Sequence, residues 1–223
     1  MKAMILAAGR GERMRPLTDR VPKALLDVGG RPLVAWLIER LREGGIREIV
    51  MNHAHLGAAI EAALGDGAGL GVSIRYSREA TALETAGGIA NALPLLGRAP
   101  FLAANADVFC DVDFSALARH QLGETVAHLV LVDNPDHHPS GDFTLAGSRV
   151  GNAAEGRLTF AGIGLYSPQL FSGIRRGDRA QLAPLLRDAA EAGKVTGEHF
   201  RGRWVDVGTP ERLAALNRSL SGT

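Results

Sequence analysis

The chain is poor in several things that would have simplified its reading. It has one cysteine, Cys110, in 223 residues. That excludes an internal disulfide framework and fits a reducing compartment. It has almost no net charge: Lys+Arg 25 against Asp+Glu 24 leaves +1. No global field draws it to nucleic acid or to an anionic membrane, so any anion site must be built locally. No run is long and apolar enough to span a bilayer. The start lacks a charged leader, an apolar h-region and a cleavage site, and a cytoplasmic protein is the expectation. Repeats, linkers and low-complexity segments are also missing, and no convincing Ser–His or Cys–His pair offers a covalent nucleophile.

What is present is an ordinary globular balance, 46% hydrophobic and 22% charged, and enough chain for a real core. "MILAA" (4–8), "IREIVMN" (46–52), "VSIRYS" (72–77) and "PFLAANAD" (100–107) read as buried strands. Helical patterns separate them: "PLVAWLIERLREGG", "LGAAIEAALG" and "TAGGIANALPLL". "DFSALARHQL", with Asp113 or Ser115 as cap, leads to the strand "TVAHLVLV" (125–132). After residue 133 the alternation breaks. A loop "NPDHHPSGD" precedes a hairpin "FTLAGSRVGN" and a strand "RLTFAGIGLYS". Two helices, "AQLAPLLRDAAEAG" and "PERLAALNRSL", close the chain around a short strand, "GRWVDVG". The pattern predicts one α/β domain over 1–223, Rossmann-like, its mixed and mostly parallel sheet covered by helices on both faces.

The first strand runs into a basic, glycine-bearing turn. "MILAAGRGERMRPLTDRVPKALL" (4–26) holds Gly9, Gly11, four arginines, Lys23, Pro16 and Pro22. In open α/β sheets ligands gather at the carboxyl ends of the strands. There Gly9 and Gly11 let backbone N–H groups approach a phosphate, and Arg13 and Lys23 supply charge. It is not a dinucleotide fingerprint, since Met14 stands where the third glycine belongs, and no Walker run exists. By itself, Gly-x-Gly is equally a plain turn with solvated arginines. Asp107 and Asp206, far apart in sequence, are candidate ligands for Mg²⁺, which takes one or two carboxylates plus phosphate and water oxygens. Each could instead be a cap or turn residue. Asp111 and Asp113 read as helix-start residues, and Glu84-Thr85 as a capping pair or, with Gly87 and Gly88 following, a substrate contact. His137 and His138 read as plain loop residues, His53 and His55 as structural or rim, Trp36 as core and Cys110 as an inert buried thiol.

The whole string Leu6-Ala7-Ala8-Gly9-Arg10-Gly11-Glu12-Arg13-Met14-Arg15-Pro16-Leu17-Thr18, then Pro22-Lys23, resembles the N-terminal motif of the sugar-1-phosphate nucleotidyltransferases. "LETAGGIANAL", "NADVF", "FAGIGLYSP" and "WVDVGTPERL" follow in that family's order. Ala106 stands where many members place Gly. Many members also carry a C-terminal β-helix domain for a second activity or for oligomerisation; this sequence runs only to Thr223, and neither is carried over. "GERMRPLT", "LETAGGI", "HHPSGDF" and "TFAGIGLY" most resemble the branch that handles N-acetylmuramic acid 1-phosphate in peptidoglycan recycling.

The resemblance implies nucleotidyl transfer from UTP to a sugar 1-phosphate with Mg²⁺. It assigns catalysis to Arg13 and Lys23, and metal to Asp107 and Asp206. Nucleotide binding falls to Ala7, Ala8, Gly9, Gly11, Arg13, Lys23 and Gly88, and sugar contact to Glu84, Asn105, Asp142 and Gly162. It leaves a monomer or weak homo-oligomer, with no nucleic-acid or membrane partner. Guanylyl or uridylyl transfer to a mannose, heptose or glucose phosphate, or a non-catalytic nucleotide-sugar sensor, are the alternatives. If the sugar carries the lactyl acid, the pocket needs a further cation or a set of N–H donors beyond those used on phosphate. The loop from His137 to Phe143 is its expected wall, and Arg149, Arg157 and Arg179 are candidates.

Overall fold

A computed structural model describes residues 1–222. The first half alternates. Strand β1 (Lys2–Leu6) leads through the basic turn to a small hairpin, β2 (Asp27–Val28) and β3 (Arg31–Pro32), and then α1 (Leu33–Glu43). β4 (Glu48–His53), α2 (Gly57–Leu64), β5 (Ser73–Arg78), α3 (Glu84–Leu96) and β6 (Phe101–Asn105) follow. Next come β7 (Val108–Cys110), α4 (Phe114–Arg119), β8 (Ala127–Val132), β9 (Phe143–Ala146), β10 (Arg149–Gly151) and β11 (Arg157–Tyr166). The chain ends with α5 (Leu182–Glu191), β12 (Val195–His199), β13 (Trp204–Asp206) and α6 (Pro210–Ser221).

Nine strands form one mixed sheet in the order β5-β4-β1-β6-β11-β8-β12-β10-β9. Pairing is parallel from β5 through β6 and again between β8 and β12. β11 runs antiparallel to both neighbours, and β10 antiparallel to β12 and β9. Two-sided burial explains the continuous apolar runs of the central strands. On β1, Ala3 and Ile5 face the core beneath α1, α2 and α4, while Met4 faces the core beneath α3 and α5. β8 divides the same way, Val130 and Val132 against Leu129 and Leu131. A third cluster joins Met14, Val28, Phe109, Val207 and Leu216, and so ties the basic turn to β7 and α6.

Most expected elements form within a few residues of their predicted bounds. Asp113 does cap α4, accepting from the Ser115 and Ala116 amides. β12 and the β2–β3 hairpin were not anticipated. β12 carries Gly197, which weakens the strand signal; a side-chain carbon there would lie 2.9 Å from the Leu129 carbonyl oxygen.

Candidate active site

The site grows from the carboxyl ends of three adjacent parallel strands. Leu6, ending β1, is in register with Asn52 on β4 and Asn105 on β6. Ala106 donates its amide to the Leu6 carbonyl at 3.0 Å, so the chains leaving β1 and β6 start side by side. Asn52 is buried. It accepts from the Ala7 amide at 3.0 Å and donates to Glu79 at 2.7 Å, and Glu79 also receives the Leu83 amide at 2.9 Å. This pair satisfies backbone donors on two walls of the cleft at once.

The turn after β1 is fixed from within. Gly11 has φ +69°, and a side-chain carbon there would lie 2.9 Å from the Thr18 methyl group. Buried Thr18 donates its hydroxyl to the Gly11 carbonyl at 2.8 Å. Arg10 reaches back to the Thr18 carbonyl at 2.7 Å and to Asp19 at 2.9 Å, and Arg15 joins Asp19 at 2.9 Å. The Arg10 guanidinium, with Arg15, holds the Asp19 carboxyl below the usual range. Two of the turn's arginines are thus spent on its own shape. Arg13 is exposed on the cleft wall, with no ion-pair partner among the described residues.

Lys23 lines the same cleft, its ammonium ion-paired with Asp107. Asp107 follows β6, and its carbonyl accepts the Val207 amide at 2.9 Å, extending the antiparallel β7–β13 pair. That three-residue pairing sets Asp206 opposite Val108, the residue after Asp107, and so lays the two distant segments that carry the aspartates side by side. Asp206 is held by Arg212, whose Nη1 lies 2.5 Å from Oδ1, with His137 Nε2 3.1 Å from the same oxygen. Gly208 allows this crowding, since a side-chain carbon there would collide with the Arg212 guanidinium. Among the described residues no cluster of three or more His, Cys, Asp or Glu side chains could hold a metal alone. Two carboxylates backed by substrate oxygens do suit a hard cation.

The resulting cleft has a volume of about 570 Å³ and is lined by Ala7, Ala8, Gly9, Gly11, Arg13, Lys23, Glu84, Asn105 and Asp107 of the expected residues. Asn52, Thr85 and Arg179 join them. Glu84 has φ +63°, and its carboxylate accepts from Arg179 at 2.5 Å. A second cleft of about 440 Å³ lies across Asp206, between residues 132–137 and 200–206.

Three expected residues line neither cleft. Gly88 packs against Asn52 and Glu79, where a side-chain carbon would come within 2.8 Å of Glu79 Oε1. Gly87 packs against the 178–180 backbone, and the α3 amides of Ala86 and Gly87 donate to the Ala180 carbonyl at 3.0 Å. The close approach these glycines permit is by protein atoms. Gly162, φ +72°, makes room for the Asn105 side chain. Asp142 is taken up by the Phe160 amide at 2.8 Å and His138 at 3.1 Å. Arg212 and the Asn52–Glu79 pair were not singled out from the sequence, and His137 is not a plain loop residue.

The sequence profile described as Nucleotidyl transferase matches residues 2–146, well over half the chain. The chain belongs to the nucleotidyl transferase family. It is 56% identical over 220 residues to the N-acetylmuramate alpha-1-phosphate uridylyltransferase of Neisseria meningitidis serogroup B, covering 96% of this chain and 95% of that one. The enzyme of the same name from Caulobacter vibrioides is 35% identical over 234 residues, covering 97% and 96%. The fold matches the inositol-1-phosphate CTP transferase of T. maritima at a TM-score of 0.81 with 20% identity, over 99% of this chain and 94% of that one. No helix among the described residues is long and apolar enough to cross a membrane.

Proposed function

We propose that this nucleotidyltransferase moves UMP from UTP to N-acetylmuramic acid 1-phosphate, releasing pyrophosphate, and that residues 1–223 form one domain for that reaction. The observation that carries the proposal is the meeting of Arg13, Lys23, Asp107 and the glycine-bearing turn in one cleft, with Asp206 beside it. The similarity to the Neisseria uridylyltransferase supports the choice of substrates.

The chemistry follows from charge. A phosphate monoester with a second pKa of ~6 is mostly dianionic at neutral pH, so the attacking oxygen needs no general base. The obstacle is one anion approaching another. Backbone N–H groups around Gly9 and Gly11 cradle the triphosphate. Arg13 and Lys23 neutralise it where charge builds as pyrophosphate leaves. Asp107 and Asp206 would hold Mg²⁺, which when bound would supply positive charge to offset that of the phosphates. Glu84, the expected sugar contact, lines the same cleft with Thr85 and Arg179. A cytoplasmic place in the recovery of cell-wall sugars fits the reading.

The test is a panel of four nucleoside triphosphates against several sugar 1-phosphates, with pyrophosphate release measured. UTP with N-acetylmuramic acid 1-phosphate should be used best. Preference for GTP with mannose 1-phosphate would replace the assignment, and no turnover with any pair would favour a sensor.

A further inference from the structure

The second cleft poses a question the reaction does not answer. Asp206 lines it together with Arg212 and His137, so a sugar whose phosphate is held near Asp206 would have this cleft beside it. Two guanidinium groups line it, Arg201 and Arg212. Arg212 is committed to Asp206 and His137, at 2.5 and 2.6 Å. Arg201 is exposed and has no ion-pair partner among the described residues.

The neighbouring arginine shows that this is not a matter of local composition. Arg203, two residues on, turns away to lie over the Phe109 ring at 4.9 Å and to donate to Ser219 at 2.5 Å. Gly202 makes the divergence possible, since a side-chain carbon there would collide with the Phe200 ring and lie 2.6 Å from an Asp111 oxygen. The acids near Arg201 are accounted for. Asp133 is paired with His199 at 2.9 Å, Asp206 with Arg212, and Asp136 is exposed to solvent. The remaining lining includes Val132, Phe200, Trp204 and Val205, suited to a sugar ring and its small apolar substituents.

We propose that Arg201 is the specificity-determining cation of the sugar site, receiving a carboxylate carried on the sugar 1-phosphate. This rests on the transferase reading above and adds to it the means of selecting an acidic sugar. A guanidinium meets a carboxylate through two parallel N–H donors, which a neutral N-acetylhexosamine cannot use. Arg201 is exposed, so the effect should be moderate rather than decisive. Arg149 and Arg157, two cations considered from sequence, line neither cleft. Arg179, the third, lines the first cleft and is paired with Glu84.

The experiment compares kcat and KM for N-acetylmuramic acid 1-phosphate, its lactyl amide and N-acetylglucosamine 1-phosphate, with UTP and Mg²⁺. The wild type should favour the acid over the other two by about tenfold, equivalent to about 1.4 kcal/mol. Arg201→Ala should lose that preference through KM, leaving both neutral sugars unchanged; Arg201→Lys should restore part of it. The losses from Arg201→Ala and from the amide should not add, since both remove one pairing. Undiminished preference for the acid in a folded Arg201→Ala would overturn this inference alone. Equal loss on all three sugars would reduce Arg201 to a structural residue. A wild type indifferent to the acid would overturn the muramate reading and this inference together.

Discussion

Lys23 and Asp107, 84 residues apart, form an ion pair at the junction of the basic turn and the end of β6. Each has a second claimant. A carboxylate at that place suits a hard cation, and an ammonium suits a phosphate. The pair keeps two half-buried charges compensated while holding both at the cleft. On the proposed reading it therefore arranges the site electrostatically before a phosphate enters.

Removing the cation tests this first. Lys23→Ala should lower turnover by about 100-fold or more, the scale expected when charge stabilising a transition state is lost. Arg13→Ala should do the same with still less effect on folding, because Arg13 is exposed and has no ion-pair partner among the described residues. Pyrophosphate release and circular dichroism on both variants check it. Near-normal turnover in a folded variant would remove that residue from the mechanism.

The metal assignment has its own test. Asp107→Asn and Asp206→Asn keep shape and lose charge, so each should raise the Mg²⁺ requirement steeply or abolish activity. The folded state should survive in both, since the β7–β13 pair is held by backbone hydrogen bonds. An unchanged Mg²⁺ titration in both variants would sink the assignment.

These residues were not equally legible in the sequence. Continuous apolar runs made β1 and β8 readable as strands, and residue type narrowed the α4 cap to Asp113 or Ser115. Asp107 and Asp206 could be nominated but not brought together, because their meeting depends on a three-residue pairing between distant segments. Only the motif resemblance linked them. His137 was misread because a polar loop beside Pro139 gives no sign that it will touch Asp206. Arg212 was not singled out, because an arginine in a closing helix carries no sign of the carboxylate it will meet. Gly87 and Gly88 drew attention as places of close approach, which they are, but the approach is by Asp178–Ala180 and by Asn52 and Glu79. Sequence shows that a side chain is missing; it does not show what fills the space.

The Asn52–Glu79 pair gives a prediction about stability and substrate binding together. Asn52→Ala leaves the Ala7 amide without its acceptor and removes a donor from buried Glu79. A buried polar group left unpaired costs about 1–3 kcal/mol. Urea unfolding should show a loss of that size, and KM for the nucleotide should rise because the turn is no longer anchored. A destabilised protein with an unchanged KM would confine the pair to folding.

Cys110 reports on the strand pair that joins the aspartates. It lies in β7, paired opposite Trp204, and is 8% exposed. Burial pushes its thiol up to about 11. At pH 8 that leaves a thiolate fraction of ~0.001, and the thiolate is the reactive species. An aromatic disulfide reagent should therefore label the native protein very slowly, and one equivalent should react at once in denaturant. A two-stranded ribbon is only marginally stable by itself, so native labelling should proceed through local opening of β7 from β13 rather than through global unfolding. If so, low urea concentrations that leave the circular dichroism unchanged should barely alter the labelling rate. UTP with Mg²⁺, by tying Asp107 to Asp206, should slow it further. Fast labelling of the untreated native protein would mean that the ribbon is open in solution and that the two aspartates are not held together before substrate arrives.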